Sequence, residues 1–113
     1  MHEFALIANI IKICEETAQK HGLNRIDTVR ICIGKMRQVV PETMQFAFSV
    51  AAKETLCAAA DLEMEFLPIR MRCKECRHEF FVEDKLFQCP ACKSGALQVI
   101  HGQELYIKSI EGE

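Results

Sequence analysis

Between residues 3 and 21 the apolar positions Phe4, Leu6, Ile7, Ile10, Ile11, Cys14 and Ala18 form one stripe, with Asn9, Lys12, Glu15, Glu16, Gln19 and Lys20 facing away. That spacing predicts an amphipathic helix, and Gly22 supplies its stop. The stretch RIDTVRICIG then changes period: Val29, Ile31 and Ile33 alternate with Thr28, Arg30 and Cys32, which predicts a half-buried strand ending at Gly34. Pro41 suits the first turn of a second helix running to about Lys53, with Met44, Ala47, Phe48 and Ala51 on one side. Apolar residues nearly encircle that helix, so it is expected to be well covered. Alternation returns in LEMEFLPIRMRC, where Leu62, Met64 and Phe66 oppose Glu63 and Glu65, and Pro68 implies a bend or an edge position. It returns again in ALQVIHGQELYIKSI through Leu97, Val99, Leu105, Ile107 and Ile110.

The predicted order is helix, strand, helix, strand, a cysteine-rich segment, then strands. Strands that resume after the cysteines imply an insertion rather than an appendage. The expected fold is α+β, two helices packed on a small mixed β-sheet, with an inserted zinc-ribbon module built on four cysteines. On this reading the main domain is discontinuous, residues 1–70 plus 95–113, and the ribbon occupies residues 71–94.

Seven cysteines need an explanation other than disulfides if the chain resides in a reducing compartment. Cys73 and Cys76 form one CxxC pair and Cys89 and Cys92 a second, with twelve residues between the pairs. Each tight CxxC turn aims two thiolates at one point. Two such turns on a hairpin complete a sulfur tetrahedron, which suits zinc, and four protein ligands leave no open position, so the zinc would be structural. The module would then depend on the metal for its fold. A rubredoxin-type iron site uses the same pairs; Lys93, standing where its second turn usually carries glycine, favours zinc. His78 is read as a hairpin residue or a donor to a thiolate, with a spare ligand as the alternative. Cys14 and Cys32 are read as core residues, Cys57 is left open, and His21 and His101 are read as structural.

Charge narrows the partners. Lys and Arg number 14 against 16 Asp and Glu, for a net charge of -2, and Lys74, Arg77, Lys85 and Lys93 in the ribbon are balanced by Glu75, Glu79, Glu83 and Asp84. No phosphate footprint results, so nucleic acid is disfavoured. No apolar run approaches the roughly 20 residues of a membrane span, and the N-terminus does not read as a secretory signal. The cytoplasm is the expected location. No nucleophile has a placed base and no glycine-rich phosphate loop is present, so the chain is not expected to be an enzyme.

The first three residues, Met1-His2-Glu3, offer the amine of Met1, the amide nitrogens of His2 and Glu3, and the imidazole of His2. Four nitrogens in a plane suit nickel or copper. The first amides of a helix have no partner within it, so their deprotonation would break no helical hydrogen bond. The Glu3 carboxylate reads as an outer ligand or a first-turn acid. Taken by spacing alone, these residues are more commonly a frayed, solvated chain end with no metal.

MHE at the start, a long amphipathic helix, a strand ending ICIGKM and a late CxxC/CxxC ribbon together resemble the HypA family of hydrogenase nickel-incorporation proteins, over effectively the whole chain. The resemblance implies a nickel metallochaperone that binds nickel weakly at Met1, His2 and Glu3, with structural zinc on Cys73, Cys76, Cys89 and Cys92. It also implies a hydrogenase-maturation GTPase as partner and the hydrogenase large-subunit precursor, or in some lineages urease, as recipient. Monomer and homodimer both remain open. Some relatives carry an acidic residue after the first strand that approaches nickel; here that stretch is RQVVPE, with Glu42 the nearest carboxylate. Some also carry histidine after the second CxxC, where this chain has Lys93. The competing readings are a zinc-ribbon adaptor or nucleic-acid-binding module, and a small iron-sulfur electron carrier.

Overall fold

The computed structural model describes residues 2–83 and 86–113. The elements are α1 (Glu3–Lys20), β1 (Ile26–Gly34), α2 (Pro41–Ala51), β2 (Asp61–Leu67), β3 (Arg70–Cys73), β4 (Glu79–Phe81), β5 (Leu97–His101) and β6 (Leu105–Gly112), with a single 3-10 turn, Lys35–Arg37, after β1. The α+β class stands, with two helices and two small sheets, of order β2-β1-β6 and β4-β3-β5, among the described residues. Pro68 separates β2 from β3, so the segment expected to be one bent strand contributes to both sheets. The returning strands also divide: β5 pairs with β3, and β6 pairs with β1.

The chain forms two compact units. One comprises residues 1–32, 39–65 and 106–113. In it α1 packs on α2, and Ile7, Ile10, Ile11, Cys14 and Ala18 from the predicted stripe are buried with Met44, Ala47 and Phe48 of α2 and Val29 and Ile31 of β1. Burying such side chains contributes about 1.5–3 kcal/mol each, so the helical period places the core. The other sheet face carries partly exposed cross-strand ion pairs: Arg30 with Glu63 at 2.8 Å and with Glu111, and Lys108 with Glu65 at 3.0 Å. Cys32 lies on this polar side yet is buried, its Sγ 4.0 Å from the Glu65 carboxylate.

Two sequence expectations for the helices change. Phe4, assigned to the buried stripe, is exposed, and α2 is open on one side, with Phe46 61% exposed and Val50 also outside. The rings of Phe4 and Phe46 meet edge to face at 6.1 Å, so each covers part of the other instead of entering the core.

The second unit comprises residues 33–38 and 66–105. Its sheet is antiparallel: Met71 lies opposite Phe80 on one side and Val99 on the other, with an irregularity at Arg70/Met71. Met71 is buried. Outside, Glu79 accepts from Arg70 at 2.8 Å and Arg72 at 2.7 Å, and the Arg70 guanidinium lies over the Phe81 ring. Residues 33–38 run against the turn after β5. Gly34 N–H donates to the Glu104 carbonyl at 2.7 Å, Met36 N–H to Gly102 at 2.9 Å, and Arg37 Nε to Gln103 at 2.8 Å. A Cβ on Gly34 would lie 2.6 Å from the Gln103 nitrogen and closer still to the Gly102 carbonyl; only glycine allows this approach.

Candidate metal centres

The two CxxC turns are built alike. Cys73 ends β3, and its carbonyl accepts from Arg77 N–H at 3.0 Å while its own N–H donates to the His78 carbonyl at 2.9 Å. In the second turn the Cys89 carbonyl accepts from Lys93 N–H at 2.9 Å, and Cys89 N–H donates to the Ser94 carbonyl at 2.9 Å. Arg77 and Lys93, each immediately after the second cysteine of its pair, take left-handed φ values of 65° and 67°. Lys93 thus adopts the conformation for which glycine is the usual residue, at the ordinary cost of roughly 1–2 kcal/mol for a residue with a Cβ. The missing glycine therefore does not separate zinc from iron by backbone shape.

The turns bring all four predicted sulfurs together. Sγ atoms of Cys73 and Cys92 are 3.5 Å apart, as are those of Cys76 and Cys89, and all four lie within 4.8 Å of one another. A tetrahedral zinc with bonds of about 2.3 Å requires sulfur separations of about 3.8 Å, so the cluster encloses a volume of the right size for one ion. Cys73 and Cys89 are buried and Cys76 and Cys92 exposed, which sets two ligands on the sheet side and two toward solvent.

Their protons are unequally held. The backbone N–H of Cys76, directed at the Cys73 sulfur, pulls that thiol down to about 6. At Cys92 the Ser94 N–H also acts downward, but the hydrogen bond to Cys73 and burial outweigh it and push the thiol up to about 12. Stored negative charge on Cys73 before any cation arrives is the electrostatic signature of a thiolate site.

At the other candidate centre, His2 is exposed, occupies the N-cap of α1 without a side-chain capping bond, and its carbonyl accepts from Leu6 N–H at 2.9 Å. Met1 of the predicted nickel set lies outside the described residues. Glu3 is only 7% exposed. Its carboxylate lies against its own backbone N–H and accepts from Val40 N–H at 3.4 Å, and these bonds hold it below the usual carboxylate range. This role was not legible in the sequence, because Val40 contributes only its backbone. Glu42 lies exposed in the first turn of α2. The remaining histidines have local roles. His78 stacks on Phe80 at 6.0 Å, His101 lies 3.3 Å from the Glu104 carboxylate, and His21 caps the end of α1 through its backbone N–H.

Residues 1–112 match the family described as hydrogenase/urease nickel incorporation, metallochaperone, HypA. This chain belongs to the HypA family. The hydrogenase maturation factor HypA of Moorella thermoacetica is 38% identical over 113 residues, covering 100% of both chains. That of Lawsonia intracellularis is 37% identical over 118 residues, again with 100% of each chain covered. Among solved structures, the solution structure of the Ni metallochaperone HypA from Helicobacter pylori aligns over 99% of this chain and 97% of its own, with a TM-score of 0.72 and 28% identity. The HypA family is one of nickel metallochaperones for hydrogenase maturation. No helix among the described residues is long and apolar enough to cross a membrane.

Proposed function

We propose that this chain carries Ni(II) as cargo on Met1, His2 and Glu3, and that zinc bound by Cys73, Cys76, Cys89 and Cys92 holds the ribbon. What supports the nickel reading most is the match to the nickel-incorporation family from the first residue onward, together with the exposed His2 at a helix start where its imidazole makes no capping bond. The amine of Met1, the two amide nitrogens and the imidazole then make a planar nitrogen set, in which amidate charge offsets the unfavourable field of a helix N-terminus. In this set Glu3 contributes its amide nitrogen, while its carboxylate accepts from Val40 N–H at 3.4 Å and anchors the helix start. A small surface site of this kind allows release, as delivery demands.

The helical unit is the nickel-binding domain on this reading and the cysteine unit is structural. Delivery takes place in the cytoplasm to the precursor of the nickel-iron hydrogenase large subunit. With no phosphate-binding loop of its own, the chain relies on a partner GTPase for energy. An added residue ahead of Met1 tests the proposal: converting the amine to an amide should abolish nickel binding at stoichiometric zinc. Undiminished nickel affinity in the extended chain would contradict it.

A further inference from the structure

Among the described residues the helical unit carries two helices on a three-stranded sheet, and the two layers differ in width. Two helices side by side make a layer roughly 20 Å wide, from an interaxial distance of about 8–10 Å and diameters of about 10–12 Å. The outer strands β2 and β6, on either side of β1, lie only about 10 Å apart at strand spacings of about 4.8 Å. α2 sits over β2, where Gln45 Nε2 donates to the Leu62 carbonyl at 2.7 Å, and it packs against the flank of α1 that bears Phe4. The opposite flank of α1 therefore reaches past β6. Ile13 marks that flank, nine residues from Phe4, which is about two and a half helical turns, and it is 41% exposed. Beneath it runs a groove of about 770 Å³ between Ile13 and Thr17 of α1, Leu23 just after it, and residues 107–112 of β6. No strand pairs with this edge of β6 among the described residues, so the sheet is one strand narrower than the helices that cover it.

We propose that this groove is a peptide-binding site, which takes an extended segment of another protein, apolar at alternate positions, as a fourth strand beside β6. The walls define that occupant. A strand edge offers a row of main-chain N–H and C=O groups, which another extended backbone satisfies in series. Alternate side chains of the added strand then point up at Ile13 and Leu23. Charge makes no further demand: Lys108 is paired with Glu65 at 3.0 Å and Glu111 with Arg30, both across the sheet, so an uncharged segment is the electrostatic complement. Size argues against a second copy of this chain. Residues 107–112 at about 3.3 Å each make a floor about 20 Å long, and a width of about 10 Å gives on the order of 200 Å². Each partner of a stable complex buries about 800 Å². A second β6 would also bring its own α1 to the same face of the joined sheet, into the space that the first α1 overhangs.

The test uses the full-length, zinc-loaded chain labelled with nitrogen-15. The probe is a capped octapeptide of alternating valine and threonine with a lysine at each end. The same segment is also joined after Glu113 through an Asn-Gly turn, which raises its local concentration to roughly the millimolar range. In both forms, hydrogen exchange of amides within residues 107–112 should slow by about tenfold or more; slowing in the tethered form alone still supports the site and marks the free peptide as a weak ligand. Ile13→Lys, which alters an exposed side chain, should cancel the protection without lowering the melting temperature, and a tether with proline in place of each threonine should give none. Unchanged exchange in the tethered form overturns the proposal, as does equal protection by the proline tether. Wild-type protein that self-associates in sedimentation with these same amides already protected overturns it too, by seating a second copy in the groove.

Discussion

The carboxylate of Glu3 is bound to the backbone N–H of Val40, at 3.4 Å, and this fixes the first turn of α1 against the residue that precedes α2. The acid next to His2 therefore spends its side chain on structure. Glu3→Ala should lower the melting temperature by a few degrees, and Glu3→Gln, neutral like the protonated acid, should recover little of the loss. The pH dependence follows from the sign of the shift. Because the folded carboxyl lies below its ordinary value of 4.5, its contribution is complete above that value and disappears as pH falls through the lower folded value. Melting curves for the wild type and Glu3→Ala should thus converge only in acid; curves that stay apart there would assign the difference to something other than this carboxylate.

Zinc binding should release fewer than four protons per ion at pH 7. The Cys73 thiol, drawn down to about 6 by Cys76 N–H, is already mostly thiolate there, whereas Cys92, pushed up to about 12, must give up its proton. Calorimetric titration of the metal-free chain in buffers of different ionisation enthalpy measures the number directly. Release of all four would contradict the stored charge on Cys73. Cys73→Ala should lose stoichiometric zinc, and the purified wild type should show no red iron-thiolate absorption; a red protein would replace zinc by iron.

Gly34→Ala should destabilise the chain by ~1–3 kcal/mol or more, the usual range for forced overpacking, since the new methyl would strike the backbone at Gly102 and Gln103. A shift of the urea midpoint at unchanged slope checks this. An unshifted midpoint would mean that residues 33–38 are not held against that turn.

Much of this architecture is written locally in the chain. Ile7, Ile10, Ile11, Cys14 and Ala18 lie on a helical period, Val29 and Ile31 on a strand period, and the CxxC spacing draws four sulfurs together without reference to the rest of the fold. What the chain does not spell out depends on partners far away in sequence. Strand β5 pairs with β3 and not with the sheet of β1 because register is settled by pairing, to which alternation alone is blind. Gly34 ends its strand as its sequence implies, and it also lets one backbone approach another, which the sequence does not announce. Phe46 has the hydropathy of a core residue and finds Phe4 at the surface instead. The sulfur cluster was legible down to its residues, while the left-handed Arg77 and Lys93 that close its turns were not, because neither is a residue type that announces positive φ.

The central claim, that nickel is held by the chain's own first residues, is tested most directly by nickel titration of the untagged wild type beside His2→Ala, followed by absorption in the region of planar Ni(II). The wild type should bind one nickel with the spectrum of a four-nitrogen plane. His2→Ala should lose that spectrum while keeping its zinc and its fold. A His2→Ala protein that binds nickel as tightly as the wild type, with the same spectrum, would place the metal elsewhere.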